Sequence, residues 1–365
     1  MSNVVILQRL LFHYRVPFYD ALAERLTDAG IDFEFVFGEV QPGIEKREWL
    51  TYVPNRYLGS NQRGFLWQPV GAHLRDADLV IVEQASKLLI NYLLQFRAAL
   101  GGPKLAFWGH GENLQATERD RAAEWVKRQV SRHAHWWFAY NDFSKRIVEA
   151  LGYPPERITS VQNAIDTTTL KDDLASFGAD EKAQLRAELG LTGPVGIYTG
   201  RLYADKRLHL LLEAAKQIQA RIPSFSLLVV GDGPDRALLD KVDYPWLKVL
   251  GAKYGREKAG LLAVSDVFLL PGLVGLAILD AFAAGLPFIT MDVSFHSPEI
   301  DYLRHGENGL MTPDDVTAFA TAVADLLEDP VRLERLKAGA LAASECYSTD
   351  TMAELFYQGI VKALA

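Results

Sequence analysis

The sequence predicts an α/β protein made of two doubly wound parallel sheets, and three observations carry that prediction. Short apolar runs alternate with helical patterns along the whole chain, with no repeat and no low-complexity tract. At 365 residues the chain exceeds one usual domain, and its 49% hydrophobic content is enough for two cores. Between the two alternating series lies Asp166 to Gly193, rich in Thr, Asp and Gly, with one charged helical stretch from Asp180 to Leu189. The expected domains are residues 1–165 and 194–350, joined by a linker at 166–193. A closing helix is expected over Thr351 to Ala363, within residues 351–365.

In the first series, Val4–Leu7, Phe33–Phe37, Leu79–Val82, Leu105–Trp108 and Trp136–Ala139 read as strands of one sheet. Pro17–Ala29 and Ser86–Leu100 read as helices between them. His110-Gly111 follows the fourth strand, at the carboxyl edge where open α/β sheets bind ligands, so His110 is a candidate functional residue as well as a possible structural one. Glu118 to Arg132 concentrates Arg119, Arg121, Lys127, Arg128 and Arg132 ahead of Trp136-Trp137-Phe138. Cations beside aromatics suit a membrane surface, while a solvated helix followed by a buried strand explains the same residues. Phe65-Leu66-Trp67 is a further candidate contact for a lipid or sugar acceptor.

The second series opens with Val195–Thr199 and then Gly200-Arg201, followed by Lys206-Arg207 and a helical pattern through Leu208, Leu211, Leu212 and Ala215. Arg201 offers a planar fork and Lys206 a point charge to a diphosphate, or both are solvated cations at a plain strand–helix turn. Leu227–Val230 then precedes the tight turn Gly231-Asp232-Gly233, with Pro234 suited to a first helical position. A dinucleotide fingerprint would need a small residue where Arg236 stands and an acid within Gly251–Tyr254. Both are missing, which disfavours a dehydrogenase and leaves a nucleotide contact. Val267 to Thr290 parses as a buried strand, a Pro271-Gly272 turn, a helix from Gly275 carrying Asp280, and a further strand from Phe288. The amides of Leu276 and Ala277 would face an anion, and Asp280 could accept two ribose hydroxyls or be solvated.

These segments, in this order, resemble the donor-binding half of the family-four retaining glycosyltransferases, whose fold is GT-B: two Rossmann-like domains facing a central cleft. Gly200-Arg201-Leu202 with Lys206, then Leu228–Gly233, then Gly275-Leu276 with Asp280-Ala281-Phe282-Ala283-Ala284-Gly285 and Pro287 match its three motifs. Val161-Gln162-Asn163-Ala164-Ile165-Asp166 looks like its segment at the domain junction. Two departures stand out. The family's Glu-x7-Glu pair is Gly272 and Asp280 here. Its Gly-Gly loop after the first strand is replaced by Gln8 to Pro17, where Arg15 either contacts phosphate or acceptor or is a surface charge.

The resemblance implies transfer of a hexose-type sugar, with retention, from a UDP- or GDP-linked donor to a hydroxyl of a glycan or lipid-linked acceptor. The donor would bind Gly200, Gly231, Asp232, Gly233, Gly275, Leu276, Ala277 and Asp280, with His110, Arg201 and Lys206 catalytic. It implies front-face attack in which the leaving phosphate helps deprotonate the acceptor. The only small molecule expected is the donor substrate, with no further cofactor. No Asp-x-Asp of the metal-dependent type is read, so metal independence is expected. The alternatives are a nucleotide-sugar epimerase of the same shape and a non-catalytic nucleotide-sugar binder.

Charge and cysteine usage narrow the classes further. With 38 cations against 46 anions the formal charge is −8, which argues against general nucleic-acid binding. The single Cys346 forms no internal disulfide and fits a reducing compartment. Val4–Leu7 is too short for a signal peptide and Arg9 closes it. A cytoplasmic location is expected, with peripheral contact at the inner face of the membrane left open.

Overall fold

The computed structural model describes residues 1–40, 44–58, 65–85, 87–111 and 134–365. The chain divides into two units, Met1–Asp166 with Thr349–Ala365, and Thr167–Ser348. The cationic stretch Glu118–Arg132 lies outside the described residues.

In the first unit, β1 (Ser2–Leu11), β2 (Ile31–Val40) and β3 (Leu50–Tyr52) are followed by the short hairpin of β4 (Arg56–Leu58) and β5 (Phe65–Trp67). Then come β6 (Leu79–Glu83), β7 (Lys104–Gly109), β8 (Trp136–Ala139) and β9 (Ile158–Ser160). The parallel sheet runs β3-β2-β1-β6-β7-β8-β9. Its direction of growth reverses between β1 and β6. Central strands are buried on both faces, so Val4–Leu7 and Trp136–Ala139 read as unbroken apolar runs without alternation. Trp136–Ala139 is thereby a core strand, not a membrane patch. Helix α1 (Val16–Asp28) starts one residue before Pro17, which occupies its first turn. Helix α2 (Leu89–Ala99) is shorter than the apolar pattern from Ser86 suggests.

The second unit is wholly described. Its strands β10 (Val195–Thr199), β11 (Ser226–Val230), β12 (Leu247–Gly251), β13 (Val267–Leu269), β14 (Phe288–Met291) and β15 (Gly309–Thr312) order as β12-β11-β10-β13-β14-β15, all parallel. This is the doubly wound order, with its switch point between β10 and β13. Residues 166–193, expected as a linker, carry helices Thr168–Ala175 and Ala179–Glu188 and group with this unit. Pro234 is not a helix start: it sits in a turn, and the helix that follows is only Arg236–Leu239. The closing helix, Thr349–Leu364, packs on α1 and belongs to the first unit.

Candidate functional site

The loops after β10 and β13 flank the switch point of the second sheet, and they are laced together. Lys206 ends the turn Ala204–Lys206 and is 8% exposed. Its Nζ donates to the Leu273 carbonyl at 2.6 Å, and the Leu273 N–H donates to the Asp205 carbonyl at 2.8 Å. Gly272 is where the two backbones touch. A Cβ there would fall 2.1 Å from the Asp205 carbonyl oxygen and 2.8 Å from Lys206 Cα.

Burial pulls the Lys206 ammonium down to about 8, with Asp205 and Glu299 opposing the fall. The next residue, Arg207, has φ 54°, a left-handed conformation that costs a non-glycine residue about 1–2 kcal/mol. Its guanidinium pairs with Asp314 and lies 5.2 Å over the Phe295 ring, contacts that oppose the strain. A twisted backbone thus turns Lys206 inward while Arg207 is tied outside.

Gly200, Gly231 and Gly233 form a second junction. A Cβ on Gly231 would lie 1.8 Å from the Gly200 carbonyl oxygen, and one on Gly233 would lie 2.1 Å from that of Leu202. Leu202 N–H donates to Asp232 O at 2.9 Å, which the close approach permits. The Asp232 carboxylate accepts the N–H of Gly233 at 2.7 Å within its own turn. Tyr198 OH donates to the Arg201 carbonyl at 2.9 Å, fixing that backbone while the Arg201 side chain is exposed.

On the other flank, no side chain caps helix Ala277–Ala283, whose N-cap is Leu276; the Ile278 and Leu279 amides already donate to the Gly275 and Leu276 carbonyls at 3.2 and 3.0 Å, so the amides of Leu276 and Ala277 are the ones that could face an anion. Gly275 precedes it, half-buried. Asp280, in the first turn, is held by Lys258 Nζ at 2.6 Å and is 15% exposed, so it is neither solvated nor unoccupied. The loop's base rests on His296. Its Nδ1 accepts the Val274 N–H at 3.1 Å, so Nε2 carries the proton and donates to Met291 O at 2.8 Å. Burial lowers its pKa, consistent with a neutral ring.

His296, Glu299 and Lys258 were not singled out from the sequence. His296-Ser297-Pro298-Glu299, following a strand, is the signal that would have found two of them.

In the first unit, His110 follows β7 and stacks on Tyr140 with ring centroids 3.9 Å apart. Arg15 is corrected: it is neither a surface charge nor free to contact phosphate. It is 7% exposed, donates to Asn163 Oδ1 and to the Ala164 carbonyl, and lies 5.6 Å over the Trp108 ring. The sequence does hold one Asp-x-Asp, Asp76-Ala77-Asp78. It stands just before β6, at the amino edge, with Asp78 Oδ2 accepting the Asn3 N–H at 2.8 Å. Among the described residues no cluster of three His, Cys, Asp or Glu suits a metal ion, and no helix is long and apolar enough to cross a membrane.

A family profile described as Glycosyltransferase Family 4 matches residues 18–169, and one described as Glycosyl transferases group 1 matches residues 193–329. Together they cover well over half of the chain. A glycogen synthase of Mycobacterium tuberculosis is 26% identical over 244 residues, 61% of this chain and 55% of that protein. The putative colanic acid biosynthesis glycosyltransferase WcaL of Salmonella typhimurium is 24% identical over 303 residues, 78% of this chain and 70% of its own. The chain thus spans about half the length of the first of these relatives. Among solved structures, HepE of Anabaena in complex with UDP superposes with a TM-score of 0.72 at 17% identity, covering 99% of this chain and 100% of that one. The architecture is that of the GT-B proteins, two Rossmann-like domains.

Proposed function

The chain belongs to glycosyltransferase family 4, and from that premise we propose that it moves a hexose-type sugar, with retention, from a UDP- or GDP-linked donor to a hydroxyl of a glycan or lipid-linked acceptor. Polysaccharide or glycoconjugate synthesis is the setting, in keeping with WcaL. The observation that carries the proposal is the buried Lys206, turned by a strained backbone toward the loop after β13 at the switch point of the sheet. An ammonium held there against the Leu273 carbonyl and 5.4 Å over the Tyr203 ring is poised for an anion.

The diphosphate gains charge as the glycosidic bond breaks. Lys206, Arg201 and the amides of Leu276 and Ala277 stabilise that charge, and preorganised stabilisation of developing charge is usually the largest catalytic contribution. The leaving phosphate takes the acceptor proton. Asp280 accepts ribose hydroxyls, with Lys258 holding its carboxylate in place. His110 contacts the transferred sugar. UDP has the first claim as leaving group, because HepE was crystallised with UDP and with UDP-glucose.

The test is release of nucleoside diphosphate from UDP-glucose and GDP-mannose in the presence of mixed glycan and lipid-linked acceptors. Acceptor-dependent release that falls about a hundredfold in Arg201→Ala is expected. Sugar-nucleotide interconversion without release would instead identify an epimerase. Binding without turnover would identify a binder.

A further inference from the structure

We propose that Glu83, at the switch point of the first unit's own sheet, receives a hydroxyl of the acceptor and selects an uncharged, hydroxyl-bearing acceptor end. The inference rests on the transferase reading above. The sheet supplies a crevice for it. β1 pairs with β6 only as far as Leu7 and Val82, then stays with β2 to Leu11 and Val40, while β6 stays with β7 to Glu83 and Trp108. The two strands therefore part just before Glu83, at the carboxyl edge, where open α/β sheets bind ligands.

The backbone of Glu83 is anchored firmly and its carboxyl barely. Asn91 Nδ2 donates to the Glu83 carbonyl at 2.9 Å, and the Gln84 N–H donates to the Trp108 carbonyl at 3.0 Å. The half-buried carboxyl meets the Arg9 backbone N–H and the Arg9 charge, yet burial outweighs both and holds its pKa above the ordinary carboxylate range. Among the described residues no side chain hydrogen-bonds it. Tyr19, wholly buried, lies within the field of Glu83 and Arg15, and its hydroxyl has no hydrogen-bond partner among the described residues. Trp108, the register partner of Glu83, is buried with its Nε1 likewise unpartnered. Buried polar groups are nearly always paired because leaving them unpaired costs stability, so two such groups beside a thinly held carboxyl mark a ligand's place. Gln84, by contrast, is spent: its Oε1 accepts the Gly111 N–H at 3.0 Å and its Nε2 donates to the Gly111 carbonyl at 3.2 Å. That bracket fixes the loop carrying His110 and leaves Glu83 as the available acceptor at this strand end. A carboxylate takes a hydrogen bond from a hydroxyl and repels a phosphate at the same place, so the group held here is a neutral polyol such as a terminal sugar. Glu83 orients the hydroxyl; the proton still goes to the leaving phosphate.

The experiment compares Glu83→Gln and Glu83→Leu with wild type in acceptor-dependent release of nucleoside diphosphate from UDP-glucose and GDP-mannose, using the mixed glycan and lipid-linked acceptors. Melting temperature and the thermal shift with UDP and GDP are measured alongside. A buried carboxyl kept for substrate burdens the fold, so both variants should melt at or above the wild-type temperature at neutral pH. Their diphosphate response should be unchanged. Their kcat/KM for acceptor should fall about ten- to a hundredfold, mostly through KM, as loss of one hydrogen bond to a charged group predicts. Variants that match an active wild type would overturn the inference and leave the transferase reading standing. Variants that lose melting temperature together with activity would make Glu83 a structural group, which also overturns it. A wild type without acceptor-dependent release would remove the transferase reading, and this inference with it.

Discussion

Gly272 and Lys206 are fitted to each other: the backbone of one lies where a side chain on the other's loop would have to pass, at 2.8 Å from a notional Gly272 Cβ to Lys206 Cα. Position 272 is therefore not a family acid pared down to glycine with its space left open. The Asp205–Lys206 turn fills that space, and the neighbouring Leu273 carbonyl receives the Lys206 ammonium.

Restoring the acid should consequently fail. Gly272→Glu and Gly272→Ala should both lower the melting temperature, because the Asp205 and Lys206 atoms that a Cβ would meet belong to the backbone and cannot rotate away. Overpacking of this kind costs about 1–3 kcal/mol or more. Denaturant titration of the two variants checks it; a Gly272→Glu protein with wild-type stability and improved donor binding would show that the loop yields.

Lys206 should give stability and ligand binding opposite dependences on pH. Its folded value, about 8, lies below the ordinary 10.5. The stability it contributes is thus fully present above 10.5 and is lost as pH falls toward 8, where the folded state must hold a buried charge. Diphosphate binding needs that charge, so affinity should fall as pH rises above 8, by up to tenfold per unit. Lys206→Met should flatten both curves relative to wild type, measured by thermal melts and by calorimetric titration with UDP.

The neutral ring of His296 fixes the loop that carries Gly272 and Leu273. Its folded pKa is depressed, so the stability it contributes is present above the ordinary value of 6.5 and lost as pH falls below it. His296→Gln should remove that acid-side loss and weaken diphosphate affinity several-fold, with the acceptor KM unchanged; steady-state kinetics across pH 5–8 reads all three.

Asp280 is the proposed ribose contact and Lys258 its support. Asp280→Asn should weaken a ribonucleoside diphosphate about tenfold and its 2′-deoxy analogue less, whereas Lys258→Met should weaken both moderately. Equal losses for both nucleotides in Asp280→Asn would remove Asp280 from the ribose.

Arg15 is tied into the first unit through Asn163 and the Ala164 carbonyl. Arg15→Met should cost about 2–4 kcal/mol in denaturant titration, since Asn163 and the Ala164 carbonyl would lose a charged donor. Its diphosphate response, at a temperature where the variant is folded, should match wild type.

The strands were legible because buried parallel strands must be apolar on both faces, and Val195–Thr199 or Phe288–Met291 can do little else. The glycines at 200, 231 and 233 were legible as turns, but not as the contact between two backbones, since that needs the neighbouring strand end. Arg15 could not be read at all: its partners lie 148 and 149 residues away. Within 166–193 the helix Ala179–Glu188 was legible as the charged stretch Asp180 to Leu189, whereas Thr168–Ala175 was hidden by a Thr- and Asp-rich composition. What holds that segment is a few side chains, such as Phe177 under Gly260 with Arg256 4.2 Å over its ring. Lys206 stood out as a cation after a strand; its burial and its carbonyl partner come from a loop nearly seventy residues on.

The most direct measurement is a thermal-shift comparison of wild type, Arg201→Ala and Lys206→Met against UDP, GDP, ADP, CDP and dTDP, with NAD as control. If these cations hold a donor diphosphate, one diphosphate raises the wild-type midpoint with concentration, and each substitution diminishes or abolishes the shift. No shift with any diphosphate, a shift with NAD alone, or an undiminished shift in both variants would contradict it.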